Sequence, residues 1–380
     1  VDWILLPALS LLTIGVLVCA VEISARMLFP ESKTTTLSCL IVNDPSTGVR
    51  AIPNSACSQK IGEGELVTYR INSCGHRAGM ECGAKSPGTF RIVMVGSSFN
   101  YGMWVPREKS FAALLPEELS RLTGRKVELY NEAMQWGTPH RVDLMFKEAA
   151  AAQPDLILWP VTPLDIARAE DVLPYIAPQA GVRTSPPMGL WQRVSFALKS
   201  KSPLQFVSDF WARITNELNG TRSVFLIQHA IFESQSQFVK QYLLQPESSD
   251  YLRSNESPAL RAHLESFARY YADVQAQANS IGVPVVVVLL PERAQAAMIS
   301  MKQWPEGFDP YKLGDEVRSI VTASGGIYLD VLPFFREIPN PERDYMPVDG
   351  HPNPDGHALL SGLLARALTD GGAPVLRAAR

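Results

Sequence analysis

Two short segments carry the side chains best suited to chemistry, Val95-Gly-Ser-Ser-Phe-Asn-Tyr-Gly102 and Val348-Asp-Gly-His-Pro-Asn-Pro-Asp-Gly-His357. In the second, Asp349 and His351 stand two residues apart in a stretch that reads as a loop. That spacing lets a carboxylate hold one side of an imidazole while the other side reaches a hydroxyl brought in from elsewhere in the chain. Ser98 is the hydroxyl that fits. Gly96 permits a sharp turn, and a serine there can present its oxygen beside the following backbone N–H. A Gly-Ser-Ser turn alone is ordinary loop chemistry, so the meaning of Ser98 comes from the Asp-His pair. Asn353 and Pro354 read as the cap and first residue of a helix, with Asp355 near its positive end. Asp355 and His357 are therefore expected to be structural. A metal site built from Asp349, His351, Asp355 and His357 is the alternative, but the helix start accounts for two of the four, and no metal or other cofactor is expected.

The elements that must position these residues are legible as short apolar runs between helical patterns. Strands are expected at Phe90–Val95, Val127–Tyr130, Pro154–Trp159, Val283–Leu290 and Ile327–Asp330. Helices are expected from about Ser110 (Phe111, Leu114, Leu115, Leu119 and Leu122 near helical spacing), over Arg141–Ala152, Pro258–Asn279 and Tyr311–Ala323, and again from Pro354. Strands alternating with helices predict an α/β fold with a parallel sheet of about five strands, each buried on both faces. Ser98 then falls at the carboxyl end of the first of them, where open α/β sheets bind ligands. Between Asp165 and Pro258 lies a helical insertion with patterns at Leu204–Leu218 and Ser223–Leu244, expected to form a lid or side wall. Within it, Trp191 and Trp211 read as core aromatics before sugar-stacking ones, and the Asn219-Gly-Thr221 sequon supports no inference.

The 380 residues carry a formal net charge of −3 and no long Lys/Arg run, which argues against a nucleic-acid partner. Trp3 to Val21 is uncharged and mostly apolar, long enough to cross a bilayer, which takes roughly 20 residues. It reads as an uncleaved anchor, with a cleaved signal peptide as the alternative. Cys19 lacks a lipoprotein context and reads as an apolar side chain. Cys39, Cys57, Cys74 and Cys82 cluster just beyond this segment, which suits disulfides in an oxidising compartment; four unrelated reduced cysteines are the other reading. Three pairings are possible, and loop length favours Cys39 with Cys57 and Cys74 with Cys82. The expected organisation is an anchor over 1–28, a stapled, loop-rich lead-in over 29–88, a main domain over 89–370 with the insertion at about 166–257, and a tail over 371–380.

Taken together, the segments resemble the SGNH or GDSL-like hydrolase superfamily over roughly Phe90 to Leu368, insertion excluded. Ile92–Gly102 is similar to the family's first block, Asn131–Gly137 to the second, Pro154–Asp165 to the third, and Asp349-Gly-His351 with the following residues to the last. The resemblance implies a three-layer α/β/α, flavodoxin-like fold, with Ser98 as nucleophile and Asp349 and His351 as its supporting pair. Three positions depart from the pattern. Ser97 stands where the first block carries Asp, Gly137 falls one place late, and Leu164 replaces the asparagine that donates to the oxyanion. Donors that could serve instead are the Ser98, Trp136 or Gly137 backbone, Asn100, Asn131, Gln135 and Thr162. The lead-in Tyr69–Arg77 resembles segments of membrane-anchored bacterial members linked to exopolysaccharide.

The resemblance implies a serine ester hydrolase or O-acyltransferase acting on acylated, such as acetylated, carbohydrate. The main domain is expected on the periplasmic side of a bacterial inner membrane, with lipid and small esters as other substrates. The departures at Leu164 and Ser97 motivate the rival, a catalytically impaired carbohydrate-binding or polysaccharide-assembly protein on the same fold.

Overall fold

The computed structural model describes residues 2–31, 35–44, 46–170 and 221–376. Five parallel strands make its centre: β5 (Thr89–Met94), β6 (Lys126–Asn131), β7 (Leu156–Val161), β8 (Val285–Leu289) and β9 (Ile327–Leu329), hydrogen-bonded in the order β6-β5-β7-β8-β9. β5, β7 and β8 are buried along their whole length, which is why β7 and β8 read as unbroken apolar runs and β5 as one interrupted only by Arg91, paired with Glu128. Each such Val, Ile or Leu is worth about 1.5–3 kcal/mol when taken from water.

β7 runs two residues further than the sequence predicts and includes Pro160. A proline removes a ladder N–H, but β5 has already ended opposite it, and the Pro160 carbonyl on that side accepts the Asn100 side-chain amide at 2.7 Å. No ladder bond is forfeited there.

Helices cover both faces. α3 (Phe111–Thr123) packs with α11 (Pro354–Ala367) on one side, and α4 (Pro139–Ala151), α8 (Pro258–Ser280) and α10 (Lys312–Ala323) form the other layer. The result is the three-layer α/β/α fold with a five-stranded parallel sheet that the sequence leads one to expect. Trp159 of β7 is buried against Phe267 and Tyr271 of α8, with ring centroids 5.9 Å apart in each pair. Caps set the helix starts. Thr138, Ser257 and Asn353 each accept a first-turn N–H, and each is followed by proline at the first helical position. α4 therefore begins two residues before the expected Arg141.

The lead-in corrects the sequence reading. It is not a bare loop but two hairpins, β1 (Leu40–Asp44) with β2 (Gly48–Ala51) and β3 (Ala56–Gln59) with β4 (Val67–Arg70). These strands are too short, and too mixed in pattern, to stand out from a Gly/Ser/Cys-rich background. Disulfides join Cys39 to Cys57 and Cys74 to Cys82. The lead-in is docked rather than appended. Arg77 is buried and donates to the carbonyls of Tyr101, Gly102 and Val105 at 2.9, 2.6 and 2.9 Å. Tyr69 stacks on Tyr101 at 5.5 Å, and Arg50 forms a two-pronged pair with Glu148 of α4 at 2.7 Å.

α1 (Asp2–Leu28) is longer than the uncharged run, and Leu5–Leu28 is long and apolar enough to cross a membrane. The single helix expected over Ser223–Leu244 is two, α6 (Arg222–Phe232) and α7 (Gln235–Leu243), broken at Glu233-Ser234. Glu22 of α1 accepts the Arg222 and Ser223 N–H groups at 3.1 and 2.8 Å, so α6 starts against the end of α1. The expected helix at Leu204–Leu218, Trp191, Trp211 and Asn219 lie outside the described residues, as does the tail beyond residue 376.

Glu132, just after β6, is a buried carboxyl with one oxygen unpartnered. Burial, and then the neighbouring Glu148 charge, push it up to about 8, with Arg50 pulling the other way. The unfolded chain releases this proton near 4.5, so the folded state holds more proton between the two values, and stability falls as pH rises from about 4.5 through 8. Glu132→Gln has no proton to lose. It is expected to gain on the order of 2 kcal/mol over the parent at pH 9 and little at pH 5. Urea unfolding at the two pH values checks this, and parallel pH slopes for the two proteins would contradict it.

Candidate active site

The turn after β5 is built by glycine and packing. Gly96 has φ 124°, and a Cβ there would collide with the Asn100 amide. Gly137, arriving from the β6 side, is held against the Gly96 carbonyl so closely that no Cβ fits. The two glycines lock the β5 and β6 exits together, and the chain enters α2 (Ser98–Tyr101) with Ser98 half-buried at its start.

The segment ahead of α11 meets this turn. His351 Nε2 lies 2.8 Å from Ser98 Oγ, and His351 Nδ1 lies 2.5 Å from Asp349 Oδ1. Asp349 Oδ1 also accepts the His351 backbone N–H at 3.2 Å, which fixes the ring's direction from both ends. Burial raises the Asp349 carboxyl, but the His351 charge and its hydrogen bonds outweigh that and hold it below the usual carboxylate value. A carboxylate on Nδ1 selects the tautomer with hydrogen there, leaving Nε2 to accept the serine hydroxyl proton. Phe99 and Trp104 wall the ring at centroid distances of 5.2 and 6.4 Å.

His357 plays no part in this line. It is fully buried on α11, its Nδ1 accepts the Phe111 N–H at 3.2 Å at the start of α3, and burial pushes it down to about 3, so it is a neutral strut. Facing Phe111, it does not join His351 on a common ion.

The donor candidates separate on their existing bonds. Asn100 spends both amide hydrogens on the Val95 and Pro160 carbonyls, at 3.0 and 2.7 Å, and is buried. The Thr162 N–H goes to Asp165 Oδ2 at 2.8 Å, while its hydroxyl oxygen caps α5 (Pro163–Ala167). Asn131 is tied to the Asn100 carbonyl and the Ala133 N–H at 2.9 and 3.0 Å, and the Gln135 side-chain oxygen accepts from Thr36. The Gly137 N–H closes a turn onto the Met134 carbonyl at 2.9 Å. Asn100 and the Gly137 N–H leave the donor set because their hydrogens already hold the scaffold, as does the Thr162 N–H, whereas the bonds of Asn131 and Gln135 to other described residues leave one Asn131 amide hydrogen and the Gln135 amide uncommitted. Among the described residues, the Ser98 and Trp136 backbone N–H groups have no partner. Trp136 sits at the third position of that turn with φ 61°, an uncommon conformation for a bulky side chain and one that marks functional turns.

Several neighbours escaped the sequence reading. Burial raises the Asp165 carboxyl to about 6 against hydrogen bonds from the Ser97 hydroxyl and the Thr162 N–H. Asp165, just beyond the end of β7, thus meets the Ser97 hydroxyl, at the position where the resemblance implies an aspartate. Leu164 is exposed, and its N–H donates to Glu292 at 3.1 Å; burial raises Glu292, which also receives the Tyr242 hydroxyl at 2.9 Å. Glu63 of the lead-in binds the N–H groups of Val348 and Asp349. An acid in a glycine-rich turn carries no sequence signal for a contact 286 positions away.

Sheet order and site together define a flavodoxin-like α/β/α domain with a carboxylate-imidazole-hydroxyl series at the carboxyl edge of β5, beside the point where strand order reverses. No protein-family model matches the sequence, and no curated protein does. Among solved structures the chain is similar to TesA, with 11% identity over 74% of this chain and 98% of that one and a TM-score of 0.39. It is similar to the psychrotrophic esterase EstA from Pseudoalteromonas sp., with 9% identity, 74% and 97% coverage and a TM-score of 0.36. A third is the lipase/acylhydrolase from Enterococcus faecalis, with 12% identity, 73% and 95% coverage and a TM-score of 0.37. The fold assignment stands on strand order and helix placement, apart from these low-scoring likenesses.

Proposed function

We propose that the chain is a serine ester hydrolase or O-acyltransferase of SGNH type, working through Ser98, His351 and Asp349. The observation that carries this reading is the continuous hydrogen-bond line from Asp349 through His351 to Ser98, at 2.5 and 2.8 Å. His351 takes the Ser98 proton on Nε2 as the serine oxygen attacks an ester carbonyl. The imidazolium, steadied by Asp349, returns that proton to the leaving alkoxide, and the acyl group stays on Ser98. Water or a sugar hydroxyl then gives its proton to His351 and carries the acyl group away, and His351 passes that proton to the departing Ser98 oxygen, which restores the starting state. The uncommitted Ser98 and Trp136 N–H groups are our candidates for holding the carbonyl oxygen as it becomes negative.

The substrate we propose is an O-acetylated carbohydrate, a reading supported by the lead-in resemblance, with α1 as a membrane anchor and the disulfide-bearing domain outside the cytoplasm. One feature favours the rival, a binding protein without turnover. Leu164 offers no side-chain donor, and losing one typically costs about 10²–10³ in rate. The test offers the full-length chain in detergent an aryl acetate and an acetylated oligosaccharide, following acetate release or transfer. Both should be deacetylated. Aryl-acetate turnover without action on the sugar would sink the carbohydrate assignment, and binding of the sugar with neither ester cleaved would favour the rival.

A further inference from the structure

Glu63 lies in the turn between β3 and β4, yet its carboxylate points into the loop that carries Asp349 and His351. Its Oε1 accepts the Asp349 N–H at 2.7 Å, and both oxygens lie within reach of the Val348 N–H, at 3.2 and 3.1 Å. The side chain is 2% exposed. Among the described residues these two N–H groups have no other acceptor. A carboxylate receiving backbone N–H groups makes bonds roughly twice as strong as neutral ones.

Its surroundings hold it in place. His229 of α6 sits 3.2 Å from Glu63 Oε2, with its ring against Phe29 at 5.0 Å. The buried Arg293, at the start of α9 (Arg293–Met301), donates to the carbonyls of Pro347 and Phe232. Pro347, Val348 and Asp349 are therefore pinned from two sides just before the chain turns to His351. Asp349 in turn aims the ring at Ser98, so any drift of the loop is passed to the Nε2–Oγ distance.

We infer that Glu63 is a positioning residue for the reaction at Ser98: the segment ahead of the main domain supplies the carboxylate that fixes the Asp349–His351 loop against the nucleophile. This rests on the hydrolase reading above. Reactive groups must be held within about 0.5 Å, and a misplacement of about 1 Å can cost 10²-fold.

The test compares Glu63→Ala and Glu63→Gln in the full chain. Glu63→Ala should lose about 10- to 100-fold in kcat on an aryl acetate with KM within about twofold, and a fluorophosphonate should label Ser98 correspondingly slowly. Glu63→Gln keeps an acceptor oxygen and should recover to within about fivefold of the parent. Amide exchange over residues 345–353 should quicken in the alanine variant and not in the glutamine one. A parent kcat for Glu63→Ala, measured well below its Tm, overturns the inference and leaves the hydrolase reading intact. If the alanine variant does not fold, Glu63→Asp, which withdraws the carboxylate by one methylene, should show the same split, and an unchanged kcat overturns the inference. An inert parent protein sinks the hydrolase reading, and the positioning role with it.

Discussion

Ser98→Ala is expected to lower aryl-acetate hydrolysis by about 10⁴- to 10⁶-fold, because it removes the atom that we propose attacks and becomes acylated. What remains comes from binding and from whatever donors hold the carbonyl oxygen. The side chain is half-buried, and the fold around it is held by Gly96, Gly137 and the Asn100 amide rather than by its hydroxyl. The variant should therefore keep its circular dichroism and Tm, so that lost rate reports chemistry. Steady-state kinetics on the purified chain make the measurement, and a variant retaining a tenth of the parent rate would show that the hydroxyl is not the nucleophile.

His351→Ala should cost a similar amount, and the double variant Ser98→Ala/His351→Ala should be no slower than either alone. Groups that act on one proton transfer are strongly non-additive, since removing one makes the other useless. The proposed mechanism gives His351 that shared role, and the 2.8 Å contact to Ser98 is what supports it. If the two losses multiplied instead, the residues would be acting independently, and the hydrogen-bond line would be a feature of packing. The comparison needs an assay able to read the residual rate above buffer hydrolysis.

Much of the main domain was legible because its sheet is buried on both faces. Val285-Val-Val-Val-Leu289 has no polar alternation to misread, and the Asn353-Pro354 helix start fixed where the Asp-His loop had to end. Turn chemistry and spacing mark Ser98, Asp349 and His351, and the structure brings the three together. Donor assignments were harder to read. Asn100 and Thr162 look available in sequence, but whether an amide or a backbone N–H is free depends on carbonyls and carboxylates from other strands. The lead-in hid for a similar reason. Its four short strands gain their stability from docking, through Arg77, Tyr69 and the Arg50–Glu148 pair, and long-range contacts of that kind leave no periodic trace. The Asp165 contact with Ser97 depends on β5 and β7 lying side by side, and no spacing in the sequence signals it.

Covalent trapping reads whether Ser98 is an activated nucleophile. The full-length chain treated with a fluorophosphonate should gain one adduct by intact mass, mapped by peptide sequencing to Ser98, and His351→Ala should abolish it. A folded parent protein that takes up no adduct, or takes it up at another serine, would show that Ser98 is not the nucleophile.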